Sequence, residues 1–249
     1  MGFLGNFWRS TIGKKIVMAA TGLIGVGFVI VHMVGNLQVF ESAEKINAYG
    51  RFLHHTIGTE LWIVRAVLLL AVILHVVAAV QLTRRAQLAR PVGYKRGTQR
   101  EASTFASRTI RWGGLLLLVF IVLHILHFTV RAFPGYDRVD AAGTVDVYAN
   151  IITAFRNPWW TLFYVVAMIA LGLHLYHGFW SSVRTLGASR PSRHPLRRPL
   201  AIAIAVIVWA GFTIVPVAVF LGFVRPEPTT AAAATAPAPV PAPAPAVAR

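Results

Sequence analysis

Residues 160–181 read WTLFYVVAMIALGLHLYHGFWS. Nothing in this stretch carries a formal charge at neutral pH, and at a rise of ~1.5 Å per residue it matches the ~30 Å hydrocarbon core of a bilayer. A soluble core helix needs no such length, so the stretch reads as a membrane span. It also holds His174 and His177 at bilayer depth, where a strongly hydrogen-bonding group is costly and usually has a partner or a function. Working outward, four more apolar runs have the same character: Ile16–Asn36, Leu61–Leu82, Trp112–Val130 and Leu200–Phe223. Arg65 is the only formally charged residue inside any of the five. The first run is too long, and too poor in small residues at its end, for a removable signal peptide. The fold class predicted is all-α, a transmembrane bundle of five helices.

Composition agrees. Of 249 residues 56% are hydrophobic and 13% charged, about half the charge of an ordinary soluble chain. There is no cysteine, which excludes disulfides, thiolate zinc sites, a chain-borne iron–sulfur cluster and covalent c-type haem attachment. Redox or metal chemistry must therefore use histidine or belong to a partner. The net charge of +16 fits either a nucleic-acid surface or a membrane protein with basic cytoplasmic loops. Distribution decides for the membrane. Three Lys or Arg precede span 1, eight lie in the loop from Thr83 to Arg111 and five in that from Ser182 to Pro199, while the opposite side has fewer. The N-terminus is thus expected inside and the C-terminus outside, in the cell inner (plasma) membrane, with lipid and no nucleic acid as surroundings. Residues 1–224 read as one membrane domain, and residues 225–249, rich in Ala-Pro repeats, as a disordered tail.

Six histidines lie in spans one to four: His32, His75, His124, His127, His174 and His177. Counting helical rise from the span ends places His32 and His124 in the outer half, roughly 20 to 25 Å from the inner face. The same count from the outer face, about 21 Å for His75 and about 25 Å for His174, places that pair in the inner half. Two imidazole pairs at two depths suit bis-histidine haem, in which a flat macrocycle takes one ring on each side. His127 and His177 rival His124 and His174, because each lies three residues further on and partly on the same face. Periodicity prefers neither. The histidines left without iron would bond a haem propionate or a neighbouring helix.

The elements Val31-His32-Met33-Val34-Gly35-Asn36, Leu74-His75, Leu123-His124-Ile125-Leu126-His127-Phe128 and His174-Leu175-Tyr176-His177-Gly178-Phe179-Trp180-Ser181 resemble the single-polypeptide, five-helix, di-haem cytochrome b subunit of succinate:quinone oxidoreductases. The resemblance runs from the N-terminus to about Phe223, and its most specific piece is His-x-x-x-Gly-x-Trp-Ser. It implies that His174 rather than His177, and His124 rather than His127, hold iron, with His32 paired to His124 and His75 to His174. It also implies partners: a flavoprotein carrying FAD that handles succinate and fumarate, and an iron–sulfur subunit, both docked on the cytoplasmic side. Succinate oxidation itself would be theirs, and the complex could form a higher oligomer. Electrons would pass from flavin and clusters through the inner and outer haems to quinone, or in reverse. The basic residues Arg84, Arg85, Lys95, Arg96, Arg184 and Arg190 would serve docking or topology alone.

For quinone, the groups near the outer haem are Arg51, His54, His55 and Glu60, with Glu60 alternatively a solvated charge at a helix N-terminus; a second location would involve Trp8, Arg9 and Ser10. Arg65 would either snorkel to the interface or bind an outer-haem propionate. Some family members carry a carboxylate two residues before the fourth-span ligand; Gly172 stands there in this chain, which argues against proton transfer by that route. Pro216 is expected to kink a fifth helix that otherwise packs. Competing classes are the cytochrome b subunit of a membrane formate dehydrogenase or hydrogenase, an ion or proton transporter with a histidine relay, and a haemless anchor. The first often takes two ligands from one helix, and the second usually adds acids within the spans.

Overall fold

The computed structural model describes residues 2–89, 104–140, 143–187 and 197–226. Among them the chain is helical, its one β contact an isolated antiparallel bridge between Val139 and Val145. In order the helices are α1 (Phe3–Arg9), α2 (Thr11–Leu37, followed by a 3-10 turn Gln38–Phe40), α3 (Ala43–Arg51, followed by a π turn Phe52–Thr56), α4 (Gly58–Leu88), α5 (Phe105–His124, continued by a π turn Ile125–Thr129), α6 (Val147–Phe155), α7 (Pro158–Thr185) and α8 (Arg197–Phe220). Helices α2, α4, α5, α7 and α8 are long and apolar enough to cross a membrane. This is a multi-pass membrane protein.

The helices begin outside the apolar runs because polar caps start them. Ser10 accepts from the Gly13 amide, Thr104 from Ser107, and Asn157 from Trp159 and Trp160 with Pro158 in the first turn. At the far end α8 stops at Phe220, three residues short of the expected Phe223. Gly222, at φ +77°, turns the chain into the left-handed region there, and the Phe223 amide bonds back to the Ala218 carbonyl.

Helices α2 and α7 are central. The close packings are α7 on α8, α2 on α4, α5 on α7, and α2 on both α7 and α8; neither α2–α5 nor α4–α7 is among them. Helix α8 carries no histidine and holds Pro216 within it. Its apolar stretch is 33% buried against 6% for α5, which fits the packing role expected of it. At Gly211 it admits the Met33 thioether into the space that a Cβ would fill, which brings α2 onto α8.

Two connections fold into a lid over one end of the bundle, here the cap end. Val39, Ile46, Tyr148, Ile151, Phe155 and Val219 form its buried core. Asn47 joins α3 to α6: its Nδ2 donates to Asp146 at 3.0 Å and its Oδ1 accepts from the Tyr148 amide at 3.0 Å. Asp146 also caps α6 through the Ala149 amide. Arg51 bonds Glu44 of its own helix at 2.5 Å and Asp140, in the segment that leads into α6, at 2.7 Å. At the opposite end, the α1 end, Arg85 donates to the Arg9 carbonyl and the Thr11 hydroxyl, and buried Lys14 donates to the Trp8 carbonyl. Lys95, Arg96, Arg190 and the tail beyond residue 226 lie outside the described residues.

Candidate functional site

Near the cap end, His32 on α2 faces His124, the last residue of regular helix in α5, with ring centroids 5.8 Å apart and planes at 77°. Phe28 stacks on His32 and Phe120 on His124. Toward the α1 end, His75 on α4 faces His174 on α7 with centroids 6.1 Å apart and planes at 53°. Tyr164, which touches His124, precedes His174 by ten residues on α7, so the two pairs lie about 15 Å apart along the bundle.

The second pair is oriented by backbone. His75 Nδ1 lies 3.1 Å from the Met18 carbonyl and 3.2 Å from the Thr21 hydroxyl, whose own proton goes to the Val17 carbonyl at 2.8 Å. A carbonyl only accepts, so Nδ1 carries the proton and Nε2 presents its lone pair. Across the gap, His174 Nδ1 is buried with no hydrogen-bond partner. Glycines flank both rings: a Cβ at Gly22 would meet His75 Cε1 at 3.3 Å, and one at Gly114 would meet His174 Cε1 at 3.8 Å. His174 also lines an apolar cleft of 280 Å³ between α5 and α7, beside Gly113 and Leu116.

His127 and His177 are drawn elsewhere. The π turn that begins at Ile125 widens the helix just after His124 and aims His127 into the lid, where it is fully buried. There it packs on Trp160 at 4.2 Å, Tyr136 at 4.4 Å and Phe128 at 4.5 Å. His177 Nε2 lies 3.3 Å from the Ser181 hydroxyl one turn on. Ring contacts thus join His32 to His124 and His75 to His174, and His127 and His177 take part in neither.

The remaining expected residues scatter around the bundle ends. Arg51 belongs to the lid's ion network, and its hydrogen bond to Glu44, together with Asp140, holds its pKa above the usual value against the effect of burial. His54, His55 and Glu60 are exposed at the start of α4. His54 titrates below its ordinary range, first through partial burial and then through the charges of Arg65, His55 and Arg131. The Arg65 guanidinium lies 4.9 Å over the Trp62 ring. Trp8, Arg9 and Ser10 hold α1 against α2, with the first two carbonyls taken by Lys14 and Arg85 and the Ser10 hydroxyl capping α2. Gly172 sits where α8 crosses α7: a Cβ there would meet Trp209 Cβ at 3.3 Å, so any side chain requires Trp209 to give by a few tenths of an ångström.

Sequence reading missed Thr21 and Tyr164 as partners of the paired histidines. Helical depth could have found Thr21, which lies level with His75 on the antiparallel neighbour; nothing separates Tyr164 from the other aromatics opening the fourth span. Among the described residues there is no cluster of three or more His, Asp or Glu side chains that could hold a metal ion. No family model, no curated protein and no solved structure matches this chain at a significant level.

Proposed function

We propose that the chain is the membrane cytochrome b subunit of a succinate:quinone oxidoreductase, anchoring a flavoprotein and an iron–sulfur subunit on the cytoplasmic side and relaying electrons to or from quinone. The observation that carries this reading is the pair of facing imidazole couples. Each couple joins helices that are otherwise not closely packed, as if the space between them were reserved. A metal–imidazole bond of ~2 Å on each side of one ion separates the two ring centroids by about 6 Å, and the two separations are 5.8 and 6.1 Å. Two imidazoles alone leave most of a metal's coordination positions empty, which calls for a metal that brings its own planar donors. The glycines beside His75 and His174 leave room for a flat group next to those rings.

His32, His124, His75 and His174 are the residues that would hold two b haems. When bound, these supply one-electron carriers at two depths of the membrane. The chain's own contribution is to fix ring orientation and set ligand basicity through the groups bonded to Nδ1 of His75 and of His124, and to keep water from the cap-end couple with aromatic walls. Helix α5 runs antiparallel to α4 and α7, so the interleaved pairing of first span with third and second with fourth puts one couple nearer each leaflet. Taking one ligand from each of four helices favours this family over formate-dehydrogenase or hydrogenase cytochromes, and the lack of acids within the spans disfavours a transporter. For quinone, two of Arg51's donors are already committed to acids, which leaves exposed His54, His55 and Glu60 as the groups able to meet a carbonyl at the cap end.

The test is a reduced-minus-oxidised visible spectrum with haem quantitation on the purified full chain. Two b haems per chain are expected; no α-band, or one haem per chain, overturns the reading. Copurification of the soluble subunits, followed by succinate-driven quinone reduction, tests the assignment to this complex.

A further inference from the structure

The cap-end couple has a second layer that the α1-end couple lacks. Tyr164, 6% exposed, places its hydroxyl 3.3 Å from His124 Nδ1 and 3.1 Å from His127 Nδ1. A phenol has one proton, and Tyr164 has no other acceptor for it among the described residues, so a satisfied hydroxyl donates one of these two bonds and accepts the other. His124 can present Nε2 to a metal only when its Nδ1 bears the proton and donates to the Tyr164 oxygen. The Tyr164 proton must then go to His127 Nδ1, which accepts it only if His127 carries its own proton on Nε2. That nitrogen is buried among aromatic rings without a partner. Ligation by His124 thus fixes three proton positions in a row.

We propose that Tyr164 is a positioning residue, and His127 the end of its relay, that together raise the donor strength of His124 and hold the cap-end haem at a lower potential than His124 alone would give. This inference rests on the two-haem reading. The direction follows from the chemistry: an N–H donating to an oxygen makes the imidazole a stronger donor, which favours the ferric state, and a tyrosine that itself donates onward is the better acceptor.

Spectropotentiometry on the purified full chain tests it, with the haems assigned by single-haem variants His75→Ala and His32→Ala. Tyr164→Phe removes only the hydroxyl. It is expected to keep both haems and shift the cap-end midpoint upward, with the other unmoved. His127→Phe, which suits the aromatic cage, is expected to shift the same haem in the same direction by less, and the double variant to go no further than Tyr164→Phe. An unmoved cap-end potential in Tyr164→Phe, or equal shifts of both haems, overturns the proposal. Should Tyr164→Phe fail to retain the cap-end haem, His127→Phe decides, and an unmoved potential there overturns it. A wild-type chain without haem sinks the functional reading itself; two haems with unmoved potentials sink this inference alone.

Discussion

The two imidazole couples use the same side chain in different surroundings. At the α1 end, His75 is held by a main-chain carbonyl and a threonine of the neighbouring helix, and glycines keep the space beside the rings clear. At the cap end, His124 is held by a tyrosine shared with a second histidine, beneath a lid of aromatic and aliphatic side chains. A carbonyl acceptor survives any substitution that keeps the helix, whereas the tyrosine network is specified residue by residue. The first couple should therefore respond to changes of bulk, and the second to changes of hydrogen bonding.

The widest break in that comparison comes from the rings themselves. His75→Ala or His174→Ala should remove one haem and leave the cap-end spectrum, and His32→Ala or His124→Ala should do the converse. His127→Ala and His177→Ala should leave two haems per chain; loss of a haem in either would mean the ligands are misassigned. Next is Gly22→Leu, whose Cβ would come within 3.3 Å of His75 Cε1 and crowd that ring. Haem retention at the α1 end should weaken by ~10–100-fold, as for other disturbed ligand supports, with no change at the cap end.

A smaller effect is expected from the lid. Asp140 accepts from Arg51, from the Thr144 amide and from the Thr144 hydroxyl. Asp140→Ala should cost about 1–3 kcal/mol, seen as faster amide exchange in α3 and α6 while α4 and α7 near His75 and His174 keep their protection. The smallest concerns pH. His54 binds its proton less readily when folded than at its ordinary value of 6.5, so it adds no cost above that pH. As pH falls through 6.5 toward the lowered folded value, the segment around the π turn Phe52–Thr56 should lose protection. His54→Gln should flatten the response, and an unchanged pH profile in that variant would assign it to another group.

Much of this was legible in the sequence because a membrane imposes simple rules. Runs such as residues 160–181 can do little else than cross it, and depth counting along ideal helices paired His32 with His124 and His75 with His174. The lid was not legible: α3 and α6 are nine residues each, read as connectors, and are joined by Asn47 and Asp146 across 99 residues of sequence. Nor did spacing alone separate His124 from His127. Three residues of regular helix put both on one side; the change to a π turn at Ile125 parts them, and a single widened turn leaves no periodic trace. Span ends were misplaced outward or inward wherever a polar cap or Gly222 rather than hydropathy set the boundary.

The crossed arrangement of the couples, first helix with third and second with fourth, has a bearing on biosynthesis. A ribosome delivers the chain from its N-terminus, so the upper couple can close as soon as α5 has entered the bilayer, while the lower waits for α7. A nascent protein halted between those events would own one complete site and one solitary imidazole, and the partner that completes it arrives on the same helix that carries Tyr164.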